Sequence, residues 1–234
     1  APKLYLDLVT GQPHLVWAQR FGNSSRVMYR PPSGSPIPLA SGDYPSIAIQ
    51  HGGETAGQGG GAPETVYILF ARNRDLFLIS NRTGSFGGET AVTRTPLDEE
   101  FFPGIVVSPG GLLSVVYEKR GKLFCHESAD GGNRFGPPRV LDEGGVATPQ
   151  VSVSGEILTV VYERQGDFYL VQGAAGGAFG SPVRLTDTPG VETRPSLGTD
   201  PMGNLHLAYV LDGEVFYTSN VQVAADFTAT RRQG

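Results

Sequence analysis

The chain has 234 residues, of which 39% are hydrophobic, and a formal net charge of −5 that is spread along its length. This composition favours a folded domain, and the lack of a basic stripe excludes nucleic acid as an expected partner. No apolar run approaches about 18 residues, so no membrane span is predicted. The one cysteine, Cys125, rules out an internal disulfide. Its apolar neighbours predict a buried and unreactive thiol.

One pattern occurs five times along the chain. Each repeat opens with a proline before a short β-like run, and successive prolines are 43, 58, 46 and 46 residues apart. These prolines are Pro2, Pro45, Pro103, Pro149 and Pro195. A second run carries an aromatic residue in every repeat: Trp17, Phe70, Tyr117, Tyr162 and Tyr209. After a third run and a turn, four repeats place a phenylalanine before a fourth run: Phe86, Phe135, Phe179 and Phe227.

Four short strands in each repeat of about 45 residues match the period of a propeller blade. No window shows the helical spacing of apolar residues. We therefore predict an all-β, five-bladed β-propeller with four antiparallel strands per blade and no strand exchange between the termini. The chain is predicted to be one domain, 1–234, with blades at about 2–44, 45–102, 103–148, 149–194 and 195–234. A six-bladed ring that lacks one blade is the alternative.

The aromatic residue of each second strand is predicted to pack between blades, because each repeat has an apolar face that its neighbour must cover. The second repeat is longer than the others, owing to a Gly-rich stretch at 51–65 that is predicted to be a loop. Within it, His51 and Glu54 offer only one imidazole and one carboxylate. These two groups do not make a metal site, so neither a metal nor a cofactor is predicted.

Residues 123–136 contain a short strand followed by a turn that is rich in Ser, Asp and Gly. The spacing of Ser128, Asp130, Gly132 and Phe135 resembles the Asp box of the sialidase-like, BNR-repeat β-propeller family. The resemblance implies that this stretch closes the hairpin between the third and fourth strands of a blade. It also implies a structural role, on the face of the ring away from the ligand.

The opposite face carries the turns between second and third strands and the connections from one blade to the next. Such loops surround a central funnel, where a concave polar pocket is the expected site. Aromatic rings offer flat apolar platforms there, and arginines bind hydroxyls, carboxylates or phosphates. The predicted ligand-binding residues are Tyr44, Phe101, Phe102, Arg120, Arg164 and Arg194. The alternative is that these turns are simply solvated.

Glycosidases need two carboxyl groups across the scissile bond. A resemblance to the five-bladed glycosidases would imply such acids near the beginnings of the innermost strands, but the residues after the five prolines are Lys3, Ser46, Gly104, Gln150 and Ser196. We therefore predict no catalytic residue and favour a recognition propeller that binds a carbohydrate or glycoconjugate at the funnel.

Two other functions stay open. One is a glycoside hydrolase that uses Glu99, Glu100 or Glu192. The other is a structural or protein-binding domain of a larger extracellular protein. The expected location is extracellular or at the cell surface, and the expected partner is a carbohydrate or a protein.

Overall fold

The computed structural model describes residues 2–7, 10–52, 64–95, 98–200, 202–220 and 228–231. These residues form twenty β-strands in five antiparallel sheets of four strands. The sheets are the blades of a five-bladed β-propeller, which confirms the predicted fold class. Each sheet contains four strands that are consecutive in sequence, so no strand is exchanged between the termini. The described part of the chain contains no helix of the length and apolarity that a membrane crossing requires.

The strands run through each blade in chain order, from the innermost to the outermost. Blade 1 contains β1 (Lys3–Leu6), β2 (Pro13–Phe21), β3 (Ser24–Arg30) and β4 (Ile37–Ser41). Blade 2 contains β5 (Asp43–Gln50), β6 (Thr65–Arg72), β7 (Asp75–Ser80) and β8 (Gly87–Ala91). Blade 3 contains β9 (Phe101–Val107), β10 (Leu113–Lys119), β11 (Lys122–Ser128) and β12 (Arg139–Asp142). Blade 4 contains β13 (Val146–Ser154), β14 (Ile157–Arg164), β15 (Asp167–Ala174) and β16 (Val183–Arg184). Blade 5 contains β17 (Glu192–Thr199), β18 (Leu205–Leu211), β19 (Glu214–Ser219) and β20 (Thr228–Arg231).

The second and third strands of the blades are joined by tight two-residue turns. In blade 2, Arg72 pairs with Asp75 across such a turn. The two residues between them, Asn73 and Arg74, have φ values of 53° and 75°. Two positive φ values in a two-residue hairpin define a type I′ turn, whose twist matches that of the flanking strands. This geometry directs the turn residues to one face of the ring.

Aromatic pairs within the blades form much of the core. Phe70, Tyr117, Tyr162 and Tyr209 of the second strands are each no more than 2% exposed. Each stacks on a ring of the third strand directly opposite, with centroids 5.5–6.2 Å apart. Trp17, the equivalent residue of blade 1, is only half-buried. Each of these four rings also belongs to an apolar cluster that spans two consecutive blades, which confirms for them the predicted packing between blades.

Four buried apolar clusters join consecutive blades from blade 1 to blade 5. The cluster between blades 3 and 4, for example, includes Val116 and Cys125 on one side and Tyr162 on the other. Among the described residues, none of these clusters joins blade 5 to blade 1. Leu4 and Leu6 on β1 are 69% and 53% exposed. Within the described residues, the terminal blades therefore have less apolar packing than the three central blades.

The hairpin between β11 and β12 is held by side-chain hydrogen bonds to its backbone. The Ser128 hydroxyl donates to Asp130 Oδ1 and accepts from the Gly132 amide, both at 2.9 Å. Asp130 Oδ1 also accepts from the Arg134 amide at 2.9 Å, which holds the pKa of that carboxyl below its usual range. Phe135 packs against the core cluster of blades 2 and 3. Phe227, the equivalent residue in blade 5, lies outside the described residues.

Candidate functional site

The innermost strands of blades 2 to 5 all bend near the proline that opens each sequence repeat. The strands begin two or three residues before these prolines, and their pairing registers shift at this point, as between Asp43 and Ser46. Equivalent shifts occur in blades 3, 4 and 5. A β-bulge of this kind re-aims the side chain at the bulged position. The bulge therefore changes the direction of the side chain that precedes the proline, at the start of the innermost strand.

That residue has a positive φ in all four blades. The φ values are 50° for Tyr44, 51° for Phe102, 44° for Thr148 and 57° for Arg194. Positive φ is unusual for a bulky residue and costs backbone energy unless the surrounding fold enforces it. Here the fixed ring and the buried prolines that follow enforce it. We call these four residues the funnel rim.

The aromatic members of the rim are in contact. The rings of Tyr44 and Phe102 meet edge to face with centroids 6.2 Å apart. Phe101 lies 6.2 Å from Phe102, centroid to centroid. Tyr44 is 52% exposed and Phe102 39% exposed. Three of the six predicted ligand-binding residues are thus brought together, and they leave an exposed aromatic surface at the boundary of blades 2 and 3.

The polar members of the rim share one carboxylate. Glu163 accepts a hydrogen bond from the Thr148 hydroxyl. Its Oε1 atom also accepts from the Arg194 amide at 2.8 Å. The contact uses the backbone of Arg194, and the side chain is exposed. Within the described part of the chain, no carboxylate forms an ion pair with the Arg194 guanidinium, so this cation faces solvent at the rim.

Two polar side chains meet across the axis of the ring, below the rim. Lys3 Nζ in blade 1 donates to Gln150 Oε1 in blade 4 at 2.9 Å. Each of these residues directly follows a blade proline. Burial lowers the pKa of Lys3. We call this pair the funnel floor. The sequence showed that no acid occupies these positions, but it did not show that the two residues meet.

The other two predicted ligand-binding residues, Arg120 and Arg164, form ion pairs with aspartates. The Arg120 guanidinium is 71% exposed and pairs with Asp98. Arg164 lies 3.0 Å from Asp142 and packs over the ring of Tyr169. It also lines an open cavity of about 430 Å³ that lies outside the funnel, bounded by Val140, Leu141, Asp142, Glu143, Arg164 and Pro182. Neither arginine is described in contact with the rim aromatics.

The acids that a hydrolase would use differ in exposure. Glu100 is 2% exposed, and its carboxylate accepts from the hydroxyls of Thr93, at 3.2 Å, and Thr95. Glu192 is fully buried and accepts from the hydroxyls of Thr186 and Thr188. Burial raises the pKa of Glu100. Each carboxylate binds threonines from the segment between the last strand of one blade and the first strand of the next, as a structural contact does.

Glu99 is exposed. The combined arrangement is an aromatic surface and an exposed guanidinium at the rim above a lysine–glutamine pair. It can bind a ligand that has an apolar face and polar or anionic groups, since aromatic and cationic side chains contribute those contacts.

No protein-family model and no curated protein matches this chain. Solved structures do match its fold. One is a sialidase from Trypanosoma rangeli in complex with the inhibitor DANA, with a TM-score of 0.58, 14% identity and coverage of 93% of this chain and 46% of the sialidase. Another is a PL25 ulvan lyase bound to an oligosaccharide, with a TM-score of 0.60, 10% identity and coverage of 92% and 68%.

A third structure is a GH43 protein from Bacillus licheniformis, with a TM-score of 0.52, 12% identity and coverage of 81% of this chain and 41% of that protein. This chain thus spans between about two fifths and two thirds of the length of these structures. At such low identity the likeness shows a shared propeller fold.

Proposed function

We propose that this protein is a non-catalytic recognition propeller that binds a carbohydrate or glycoconjugate at the funnel rim. The observation that carries the proposal is the exposed pair of Tyr44 and Phe102, whose rings are 6.2 Å apart on equivalent, positive-φ positions of adjacent blades. Backbone conformations of this kind concentrate at ligand sites. A sugar ring that lies on this pair covers an aromatic surface that is otherwise exposed to water.

The polar groups favour a glycan that carries an acidic group. Arg194 offers its guanidinium at the rim, and a guanidinium binds a carboxylate or sulfate with two parallel hydrogen bonds. The Gln150 amide and the Lys3 ammonium of the funnel floor supply further donors for ring hydroxyls. No carboxylate directly follows the blade prolines, and the one carboxylate described at the rim, Glu163, already accepts hydrogen bonds from Thr148 and Arg194.

The solved structures support a carbohydrate ligand. They include a sialidase with its inhibitor, a lyase bound to a sulfated uronic acid–rhamnose saccharide, and a GH43 protein. We also assign the chain to the sialidase-like, BNR-repeat group. The hydrogen bonds of Ser128 and Asp130 in the hairpin after β11 support this assignment. A location outside the cell is part of the same proposal.

Glycoside hydrolysis is the second candidate, and one observation favours it: burial raises the pKa of Glu100, as a general acid requires. However, a general acid must reach the glycosidic oxygen, and the Glu100 carboxylate faces two threonine hydroxyls in a buried site. Glu192 is buried in the same way. Recognition without catalysis therefore accounts better for these acids.

The test is glycan binding by the full chain, first on an array of neutral, carboxylated and sulfated glycans and then by calorimetry. Phe102→Ala and Tyr44→Ala should each weaken binding about 10-fold, because one stacked ring contributes roughly 1.4 kcal/mol. Arg194→Gln should weaken the binding of acidic glycans more than that of neutral ones. Ile157→Ala is the matched control, since Ile157 is 46% exposed and lies at the opposite face.

Three results would overturn this proposal. The first is the absence of binding above background to every glycan. The second is equal affinity in Phe102→Ala and Ile157→Ala. The third is cleavage of a bound glycan, measured by mass spectrometry of the products, that is lost in Glu100→Gln or Glu192→Gln. This third result would establish the hydrolase instead.

A further inference from the structure

Two histidines and two carboxylates, side chains of types that can ligate metals, lie near one another at the boundary of blades 1 and 2, on the face opposite the funnel rim. Asp7 directly follows β1, and His14 lies near the start of β2. His51 directly follows β5, and Glu64 directly precedes β6. All four therefore lie where the first and second strands of these blades are joined. None of them belongs to the rim or to the floor.

The first three side chains are close enough to share one ion. One ligand atom each of Asp7, His51 and Glu64 lies within 4.8 Å of the others. His51 Nε2 is 2.8 Å from Asp7 Oδ1. Asp7 is fully buried, and the Thr10 hydroxyl donates to its Oδ2 atom. The carboxylate is thus fixed in orientation, with Oδ1 directed toward the histidine.

His14 points independently to a ligand at this place. The side chain is fully buried, and its Nδ1 atom lies 2.8 Å from the Tyr29 hydroxyl. Among the described residues, its Nε2 atom has no hydrogen-bond partner. That atom faces Glu64 Oε2 at 3.8 Å, beyond hydrogen-bonding distance. Buried nitrogen atoms without a partner are rare. In contrast, a metal-binding histidine normally has one nitrogen on the metal and the other on a hydrogen-bond partner.

We propose that Asp7, His51 and Glu64 bind one divalent transition-metal ion, with Zn²⁺ the best fit, and that His14, which lies outside this 4.8 Å group but faces Glu64, moves in as the fourth ligand. Two imidazoles with two carboxylates suit Zn²⁺ better than Ca²⁺ or Mg²⁺, which prefer oxygen ligands alone. In a tetrahedral Zn²⁺ site with bonds of about 2.1 Å, neighbouring ligand atoms are about 3.4 Å apart. The distance from His51 Nε2 to Asp7 Oδ1 is 2.8 Å, and that from His14 Nε2 to Glu64 Oε2 is 3.8 Å, so the two lie on either side of this value.

A site with four protein ligands has no open position, so the ion is structural. It joins blade 1 to blade 2, because each blade supplies two ligands. Two of its ligands, His51 and Glu64, also flank the Gly-rich insertion of the second repeat. The sequence alone suggests only Glu54 as a partner for His51, and Glu54 lies outside the described residues. The other three ligands come from other turns and strand ends, which only the folded ring brings to His51.

The first experiment uses the full chain after treatment with a chelator. Calorimetry with Zn²⁺, followed by elemental analysis of the dialysed protein, should give one ion per chain. Zn²⁺ should also raise the Tm, because an ion that binds the folded state alone stabilises it. Replacement by Co²⁺ should give the visible absorption of a tetrahedral site.

Glu64→Gln and His51→Ala should each weaken Zn²⁺ binding at least about 100-fold, because loss of a direct ligand exceeds the effect of an outer hydrogen bond. His206→Ala is the matched control. Its Nδ1 atom contacts the Tyr217 hydroxyl and its Nε2 atom lies 3.4 Å from Asp200, but it has no second carboxylate in reach within the described residues.

Failure of the wild-type chain to bind Zn²⁺ with one-to-one stoichiometry would overturn the proposal, as would a Tm that Zn²⁺ leaves unchanged. Both measurements use the unaltered protein, so they decide the question even if a variant does not fold. Affinity that falls equally in His206→Ala and Glu64→Gln would also contradict it.

Discussion

His126 lies in β11 and has hydrogen-bond contacts at both ring nitrogens. Nδ1 is 3.0 Å from the Gly136 carbonyl, and Nε2 is 3.0 Å from the Tyr117 hydroxyl. A carbonyl only accepts, so Nδ1 carries the hydrogen and Nε2 accepts from the tyrosine. The neutral ring is fully satisfied, and a second proton would displace the tyrosine donor. Burial accordingly lowers the pKa of His126.

This arrangement predicts a loss of stability in mild acid. The unfolded chain takes up a proton near the ordinary pKa of 6.5, whereas folded His126 resists it to lower pH. The contribution of His126 to the free energy of unfolding is therefore complete above the unfolded-state pKa of 6.5. It is lost as the pH decreases through the folded-state pKa. Denaturant unfolding from pH 8 to 5 should show a weaker pH dependence in His126→Gln than in the wild type. His206→Gln is the control, and identical slopes in the wild type and His126→Gln would disprove the assignment.

At the scale of the element, two turn glycines with positive φ differ in how much an added methyl group should destabilise the fold. Gly132 closes the hairpin after β11 with φ at +85°, and a Cβ atom there would lie 2.3 Å from the Leu78 side chain of the neighbouring blade. Gly155, in the turn between β13 and β14, has φ at +54° but nothing within 4 Å. The two glycines share the backbone requirement and differ in the space around them.

Gly132→Ala should therefore destabilise the protein by about 2–4 kcal/mol, which combines left-handed strain with overpacking. Gly155→Ala should cost about 1–2 kcal/mol, from the strain alone. Urea unfolding of both variants measures the difference. Equal losses would mean that contact with Leu78 does not hold this hairpin against blade 2.

The elements of the fold were predictable because the same signals recur in every repeat. The prolines and the buried aromatics identified the strands, and their spacing gave the blade count. The aromatic rim was predictable in part, since the position of Tyr44, Phe101 and Phe102 just before Pro45 and Pro103 assigns them to the connections between blades. The structure instead places them in the first residues of β5 and β9, the innermost strands. The contact of Lys3 with Gln150 was not, because it joins residues 147 positions apart across the ring. Nor were the acids that hold Arg120 and Arg164, because they lie in neighbouring elements.

At the scale of the whole molecule, the apolar packing of the described residues is uneven around the ring. Blades 2, 3 and 4 each contribute to two of the four clusters between blades, and blades 1 and 5 each contribute to one. In repeat architectures the stability of a unit follows the interfaces that it forms with its neighbours. The terminal blades should therefore open at a lower free energy than the central ones.

Amide hydrogen exchange followed by mass spectrometry tests this expectation. Second-strand amides of blades 2, 3 and 4, such as those of β10 in the centre, should exchange more slowly than those of β2 and β18. The three strands occupy the same place in their blades, which makes the comparison internal. Uniform protection of all five blades would show instead that the ring unfolds as one cooperative unit.

The packing around Cys125 has a practical consequence. The residue is fully buried in the cluster of blades 3 and 4, and burial raises the pKa of its thiol to about 12. Alkylating reagents attack the thiolate, which neither forms nor meets solvent while these blades stay together. The chain has no other cysteine. The rate at which Cys125 is alkylated therefore reports how often the interface between blades 3 and 4 opens.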